Sequence, residues 1–236
     1  QFTPHGRKKM LTLACIGEVE VPEGVIADGV VTNTEALSAV LRKVGEKAGR
    51  AFRSSGIVAS LPEEKSFLRI FQIPKVASGE IAGAIRWKIE EEIPLPSEDV
   101  IYDYESMHAK AELDHRAAVV TAFPRGLVGA YTRAIKDAGL VPAALELESQ
   151  AIVRAVAPDL NSPEAVVVVD VGRERTSFIL FVEGAIVFTT TVPAGAETLA
   201  KNLVDALGIN KKEAFEIMKR EGVSRSARDG AVFAAL

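Results

Sequence analysis

Cysteine is nearly absent from this 236-residue sequence: Cys15 stands alone, which excludes an internal disulfide and fits a reducing compartment. Its place in the apolar run Leu11 to Ile16 predicts a small buried hydrophobe and not a nucleophile. Histidine is scarce too. His5, His108 and His115 have no carboxylate or cysteine at ligand spacing, so no histidine-centred metal site is expected. No run approaches the roughly 18 apolar residues needed to cross a bilayer, and Gln1 to Arg7 lacks the apolar core of a signal peptide. An excess of positive charge is also missing. The 28 Lys and Arg face 32 Asp and Glu, a net charge of −4, so no basic field draws in nucleic acid or anionic lipid. These absences predict a cytosolic protein that meets a membrane only through partners. Internal repeats and low-complexity tracts are lacking as well, and the absent initiating Met predicts a start inside a longer protein.

What is present is core-forming material. With 48% hydrophobic side chains the chain can bury one large core or two smaller ones. Its first part reads as a strand Leu11 to Glu20, a turn at Pro22-Glu23-Gly24, a short strand near Gly29 to Val31, a helix, and a buried strand Ile57 to Leu61. The helix places Leu37, Val40, Leu41 and Val44 on one face, with Thr32 and Glu35 as a capping box. From 66 to 140 the rhythm changes. A strand Phe67 to Ile73 precedes a helix opened by Ser78, with Ile81, Ile85 and Ile89 on one face and Pro94 as its end. Strands Val100 to Met107 and Ala117 to Phe123 and a helix stopped by Gly139 complete a compact α+β unit. Trp87, off the isoleucine row, reads as core cover or partner surface, and Glu90 to Glu92 as a solvated helix end. After Asn161-Ser162-Pro163 comes Ala165 to Asp170, so apolar that it reads as a strand buried on both faces. A meander of Thr176 to Val182 and Ala185 to Val192 follows, then two helices, the second capped by Asn210 and Glu213 and closed by Gly222.

Chemistry concentrates at Val168-Val169-Asp170-Val171-Gly172-Arg173-Glu174-Arg175-Thr176-Ser177. A tight turn offers backbone N–H groups and a hydroxyl to a phosphate, and a carboxylate at the strand end can hold Mg²⁺ through water. An ordinary hairpin with Asp170 accepting backbone N–H bonds is the plain alternative.

The segment resembles the second phosphate-binding hairpin of the actin, sugar-kinase and heat-shock-chaperone ATPase superfamily. A second hairpin and the turn Pro193-Ala194-Gly195-Ala196-Glu197 into a helix follow in the same order. The run Glu90-Glu91-Glu92-Ile93-Pro94-Leu95-Pro96 with Tyr102-Asp103-Tyr104 narrows the resemblance to the PilM family of type IV pilus assembly. Gly24 to Gly29, Leu61-Pro62-Glu63, Phe71-Gln72-Ile73-Pro74 and Glu213 to Lys219 match in order and cover nearly the whole chain. The resemblance implies an α/β, actin-like (ribonuclease H-like) ATPase fold with an inserted small α+β subdomain, incomplete at both ends. Residues 1–65 would form the first actin-like subdomain without its first strand and phosphate hairpin, 66–140 the insert, 141–160 the return, and 161–236 the second subdomain without its final Gly-rich loop.

On this resemblance ATP with Mg is the cofactor. Asp170, Gly172 and Thr176 would meet phosphates and metal, Asp170 being the metal-side group, and Gly195 would lie beside the nucleotide cleft. Glu216 and Lys219, on one helix face, would match the pair placed against ribose and adenine; a solvated ion pair is the alternative. Bulky Arg173, Glu174 and Arg175, and Ala196 where a second glycine is common, argue for binding over hydrolysis. Glu146 and Glu148 are the candidates by location for positioning a water, surface carboxylates being the alternative. The implied function is a nucleotide-binding scaffold at the inner face of the inner membrane. It would bind the N-terminal peptide of a PilN-like membrane protein beside the α+β insert, and make indirect contact with the pilus platform and motor ATPases. The rival expectations are a slow ATPase, or another actin-like adaptor of the cell-division or type II secretion kind.

Overall fold

The computed structural model describes residues 2–5, 10–49, 56–74, 76–107, 115–157, 164–222 and 230–235. His108 and the Asn161-Ser162-Pro163 break lie outside the described residues. Two compact units divide the chain, Gln1–Pro158 and Asp159–Leu236.

The first unit opens with an antiparallel pair, β1 (Phe2–His5) and β2 (Met10–Leu13), and a small hairpin, β3 (Ile26–Ala27) and β4 (Val30–Val31). The expected strand Leu11 to Glu20 is therefore short, ending at Leu13. The chain beyond it lies against helix α1 (Thr34–Ala48) so closely that a Cβ on Gly17 would sit 2.5 Å from Val44 O, and a segment held there makes no ladder. Cys15 is only half-buried in this stretch, not the core residue expected. The α1 cap also differs from the Thr32 and Glu35 box: Asn33 is extended and its side-chain oxygen accepts from Ala36 N–H at 2.9 Å. The Thr32 hydroxyl donates to Gly24 O at 2.6 Å, pinning the preceding turn.

Strand β5 (Gly56–Leu61) pairs in parallel with β9 (Val141–Leu147), and α4 (Glu148–Val156) leaves directly from β9. Only Leu61 of β5 is fully buried, so this strand is half-exposed and not the buried one expected. Between the two lies the α+β unit: β6 (Phe67–Pro74), α2 (Ile81–Glu92), β7 (Val100–Ser106), β8 (His115–Pro124) and α3 (Arg125–Asp137). Its sheet is antiparallel in the order β6-β8-β7. Ile85 and Ile89, spaced to share a helix face, are fully buried against Phe71, Ile73, Val100 and Val120. A second cluster, Leu61, Phe123, Leu127, Val128 and Leu147, ties α3 to the β5–β9 pair.

The second unit is an antiparallel meander of β10 (Val166–Val171), β11 (Thr176–Val182) and β12 (Ala185–Val192), followed by α5 (Ala196–Leu207), α6 (Lys211–Glu221) and α7 (Ala231–Ala235). The β11–β12 turn takes Glu183 and Gly184 at φ 49° and 87°, the left-handed pair a two-residue hairpin requires. Helix α6 carries the expected box: Asn210 accepts from Glu213 N–H and the Glu213 carboxylate accepts from Asn210 N–H. Ala200, Leu203, Ala214, Ile217 and Val232 form a core among the three helices. Strand β10 departs from expectation. It lies at the sheet edge and leaves Val167 63% and Val169 51% exposed, so its apolar run is not buried on both faces among the described residues.

Candidate functional site

The hairpin joining β10 to β11 closes at Gly172, whose N–H donates to Arg175 O at 2.9 Å. Antiparallel register sets Asp170 opposite Ser177 and Val171 opposite Thr176. Since directly paired residues share a face and neighbours alternate, Asp170 and Thr176 project from opposite faces of the sheet. On the Asp170 face, Ser177 pairs with Thr191 of β12 and their hydroxyls lie 3.0 Å apart. The carboxylate thus heads a row of oxygen-bearing side chains across three strands. Composition gave no prominence to Ser177 or Thr191; strand register is the signal that would have found them. Thr176 is engaged elsewhere, donating to Ala194 O at 2.6 Å.

Gly195 has a steric task. A Cβ there would lie 2.6 Å from both Arg175 N and Gly172 O and 2.7 Å from Arg173 O, so only glycine lets the entry to α5 press on the hairpin. The first N–H groups of α5 then meet hairpin carbonyls: Ala196 N–H donates to Gly172 O at 2.9 Å and Glu197 N–H to Arg173 O at 2.8 Å. Helix starts normally leave such donors free for an anion; here the fold itself consumes them. Side chains supply the local charge instead. Glu197 accepts from Arg173 Nε at 3.0 Å and lies 2.6 Å from Lys211 Nζ. The Lys211 hydrogen bond foremost, then that from Arg173, holds the Glu197 carboxyl below its usual range.

Glu216 and Lys219 do lie together on α6, in an exposed ion pair of 3.4 Å, and Glu216 also lines a cavity with Asn210, Glu213, Ile217 and Arg220. In the first unit, Glu146 is clamped by Arg154 through two bonds of 2.6 and 2.8 Å. Glu148 is the exposed first residue of α4, and that helix start is secured by Glu63, which accepts from Ser149 N–H at 3.2 Å, and by Gln150, which accepts from Leu147 N–H at 2.9 Å. Tyr131 donates to Gly29 O at 3.0 Å; burial, then the charges of Glu148 and Glu64, push its phenol up.

Also in the first unit is a groove of about 700 Å³ on the sheet face turned away from α2. Ile101, Val119 and Phe123 line it from β7 and β8, Val128 from α3, and Leu145 and Glu146 from β9. Strand β7, which supplies part of the lining, is an edge strand of the sheet. Among the described residues no trio of His, Cys, Asp or Glu could hold a metal, and no helix is long and apolar enough to cross a membrane.

A family profile described as type IV pilus assembly protein PilM matches residues 3–228. The chain belongs to this family. Among solved structures, a PilM–PilN type IV pilus biogenesis complex matches with a TM-score of 0.75 and 21% identity, over 99% of this chain and 69% of the other. That agreement establishes the fold as the actin-like one, with the α+β unit inserted. The cytoplasmic domain of EpsL, an inner-membrane component of the Vibrio cholerae type II secretion system, matches at TM-score 0.49 and 18% identity over 89% and 70% of the two chains. The ethanolamine utilization protein EutJ from Carboxydothermus hydrogenoformans matches at 0.44 and 19% over 89% and 53%. These two superpose too loosely to carry an argument. No curated protein matches the sequence significantly. Family membership assigns the chain to type IV pilus assembly.

Proposed function

We propose that this chain is a nucleotide-binding scaffold at the cytoplasmic face of the inner membrane, whose groove takes the N-terminal peptide of a PilN-like membrane protein. The groove carries the reading: an apolar floor of Ile101, Val119 and Phe123 beside a strand edge suits an extended peptide, which can add to the edge through its backbone and seat alternate side chains below. Asp103 and Glu105 make its polar wall acidic, Glu146 being already paired with Arg154, and this favours a peptide with a positive charge. The motor ATPases and platform of the pilus are reached through such partners.

For the nucleotide, the exposed Asp170 carboxylate would hold Mg²⁺ beside the phosphates. Glu216 and Lys219 are open to a ribose and base. Bound Mg²⁺ supplies charge neutralisation of the phosphates. Gly172, Thr176 and Gly195 serve by shaping the hairpin that presents Asp170. The division of units follows the inserted-subdomain plan, with 66–140 as the peptide-binding insert and 161–236 as the nucleotide-side subdomain. Fixed geometry and consumed backbone donors favour binding over turnover.

Anisotropy of a labelled peptide copying the partner's N-terminus should show saturable binding to the intact protein. Ile101→Arg, at an exposed position, should weaken it at least about tenfold with unchanged circular dichroism. An intact protein that ignores the peptide would overturn the groove assignment. Separately, Asp170→Ala should abolish the Mg²⁺-dependent part of ATP binding, and robust Asp170-dependent hydrolysis would sink the scaffold reading in favour of an ATPase.

A further inference from the structure

Helix α2 buries one side on the β6-β8-β7 sheet, and its outer side carries Trp87, the only tryptophan in the sequence, 62% exposed. Scattered exposed aliphatic side chains are ordinary, but an indole in water leaves an unusually large apolar surface unburied. Lys88 Nζ lies over its ring, 5.3 Å from the centroid, and the same ammonium is 2.9 Å from Glu91 and 3.7 Å from Glu92. Gly83, one turn earlier on the same helix face, presents no side chain, and a Cβ there would meet nothing within 4 Å. The indole is therefore flanked by open space on one side and by charge on the other. Three half-exposed carboxylates follow it, Glu90, Glu91 and Glu92, against two cations, Arg86 and Lys88. The next turn adds Glu98 and Asp99, both exposed. Surface ion pairs such as Arg86–Glu90, at 3.4 Å, are held weakly, so these carboxylates can exchange one cation for another.

We propose that this outer face of α2 docks a second pilus protein, one that offers Trp87 an apolar pocket rimmed by Lys and Arg. This rests on the scaffold reading above and adds a site to it. The peptide groove lies on the sheet face turned away from α2, so the α+β unit can hold both partners at once. Charge selects the class of partner. Nucleic acid and anionic lipid are repelled by an acidic collar, and a two-fold contact with a second copy of this chain would set one acidic collar against another. A basic-rimmed pocket gains both apolar burial and complementary charge, the combination that makes a tryptophan the centre of an interface.

Anisotropy titrations of the intact protein with two labelled probes, the purified pilus motor ATPase and the cytoplasmic part of the pilus platform protein, test the surface. At least one should bind saturably, with an affinity that falls as salt rises. Trp87→Ala should weaken that binding at least about tenfold and Trp87→Phe by less. Glu90→Lys combined with Glu91→Lys should weaken it at least about fivefold. The groove peptide should bind every one of these variants within about twofold of the parent and should not displace the probe. These side chains are exposed, and equal thermal midpoints would show that the variants fold. If neither probe binds the parent, or if a probe binds Trp87→Ala equally well, the docking surface is wrong, while the groove stands or falls on the peptide's own titration. Trp87-dependent dimerisation in sedimentation would also overturn it, with a second copy as the occupant. A parent that ignores both probes and the peptide would overturn the scaffold reading as well.

Discussion

Two three-stranded antiparallel sheets, β6-β8-β7 and β10-β11-β12, are built from similar residues and treat them differently. In the first, α2 lies across one face, its own Ile85 and Ile89 fully buried, and covers Phe71, Ile73, Val100 and Val120 of the sheet. In the second, the row Val167, Val169, Val171, Phe178 and Phe188 shares a face that stays open among the described residues. The most apolar strand of the chain is therefore among the least buried. Hydrophobicity states what a strand can bury; a covering element decides whether it does.

Truncation measures this contrast most directly. Ile85→Ala should cost about 2–5 kcal/mol in denaturant unfolding, since its site is packed on all sides. Val169→Ala, half-exposed, should cost under about 1 kcal/mol, and a penalty equal to that of Ile85→Ala would mean that β10 is covered in solution. Next in size is Gly195→Ala. The second sheet is anchored to α5 by backbone contact where the first is anchored by side chains, so one methyl group at 2.6 Å from the hairpin should cost roughly 1–3 kcal/mol. A neutral result in thermal unfolding would refute the close approach.

Asn33→Ala should remove about 1 kcal/mol by uncapping α1, whereas Thr32→Val, which leaves the cap intact, should cost less if Asn33 holds the cap. The smallest effect concerns pH. Glu197 is depressed by Lys211 and Arg173, so its contribution is present above the ordinary carboxylate range and fades as pH falls through its lowered folded-state value. Glu197→Gln should flatten that part of the acid limb of a melting-temperature profile, and an unchanged limb would show the two ion pairs to be screened out.

Several local signals are legible in the sequence, although the α1 cap falls on Asn33 and not on Thr32. The isoleucine spacing of α2, the Asn210 and Glu213 box of α6, the Gly139 and Gly222 stops and the Glu183-Gly184 turn depend on neighbours three or four residues away. The polar residues of the site were half legible. Asp170 stood out because a carboxylate leaving an apolar strand is visible in one dimension, while the Asp170-Ser177-Thr191 row needs strand register and the Arg173-Glu197-Lys211 bridge joins residues up to 38 positions apart.

What the sequence by itself determined is the isoleucine face of α2, the α6 cap, the Glu183-Gly184 turn, and the ordered motifs that mark the PilM family. Their causes are short-range: side-chain periodicity, a capping oxygen, a residue able to take positive φ. Only the tertiary structure decided which apolar strand is covered, that Asp170 and Thr176 face opposite ways, and that Gly195 is required by contact with the hairpin and not by its own torsion. Each of these depends on what another part of the chain brings within a few ångströms, which no local pattern records.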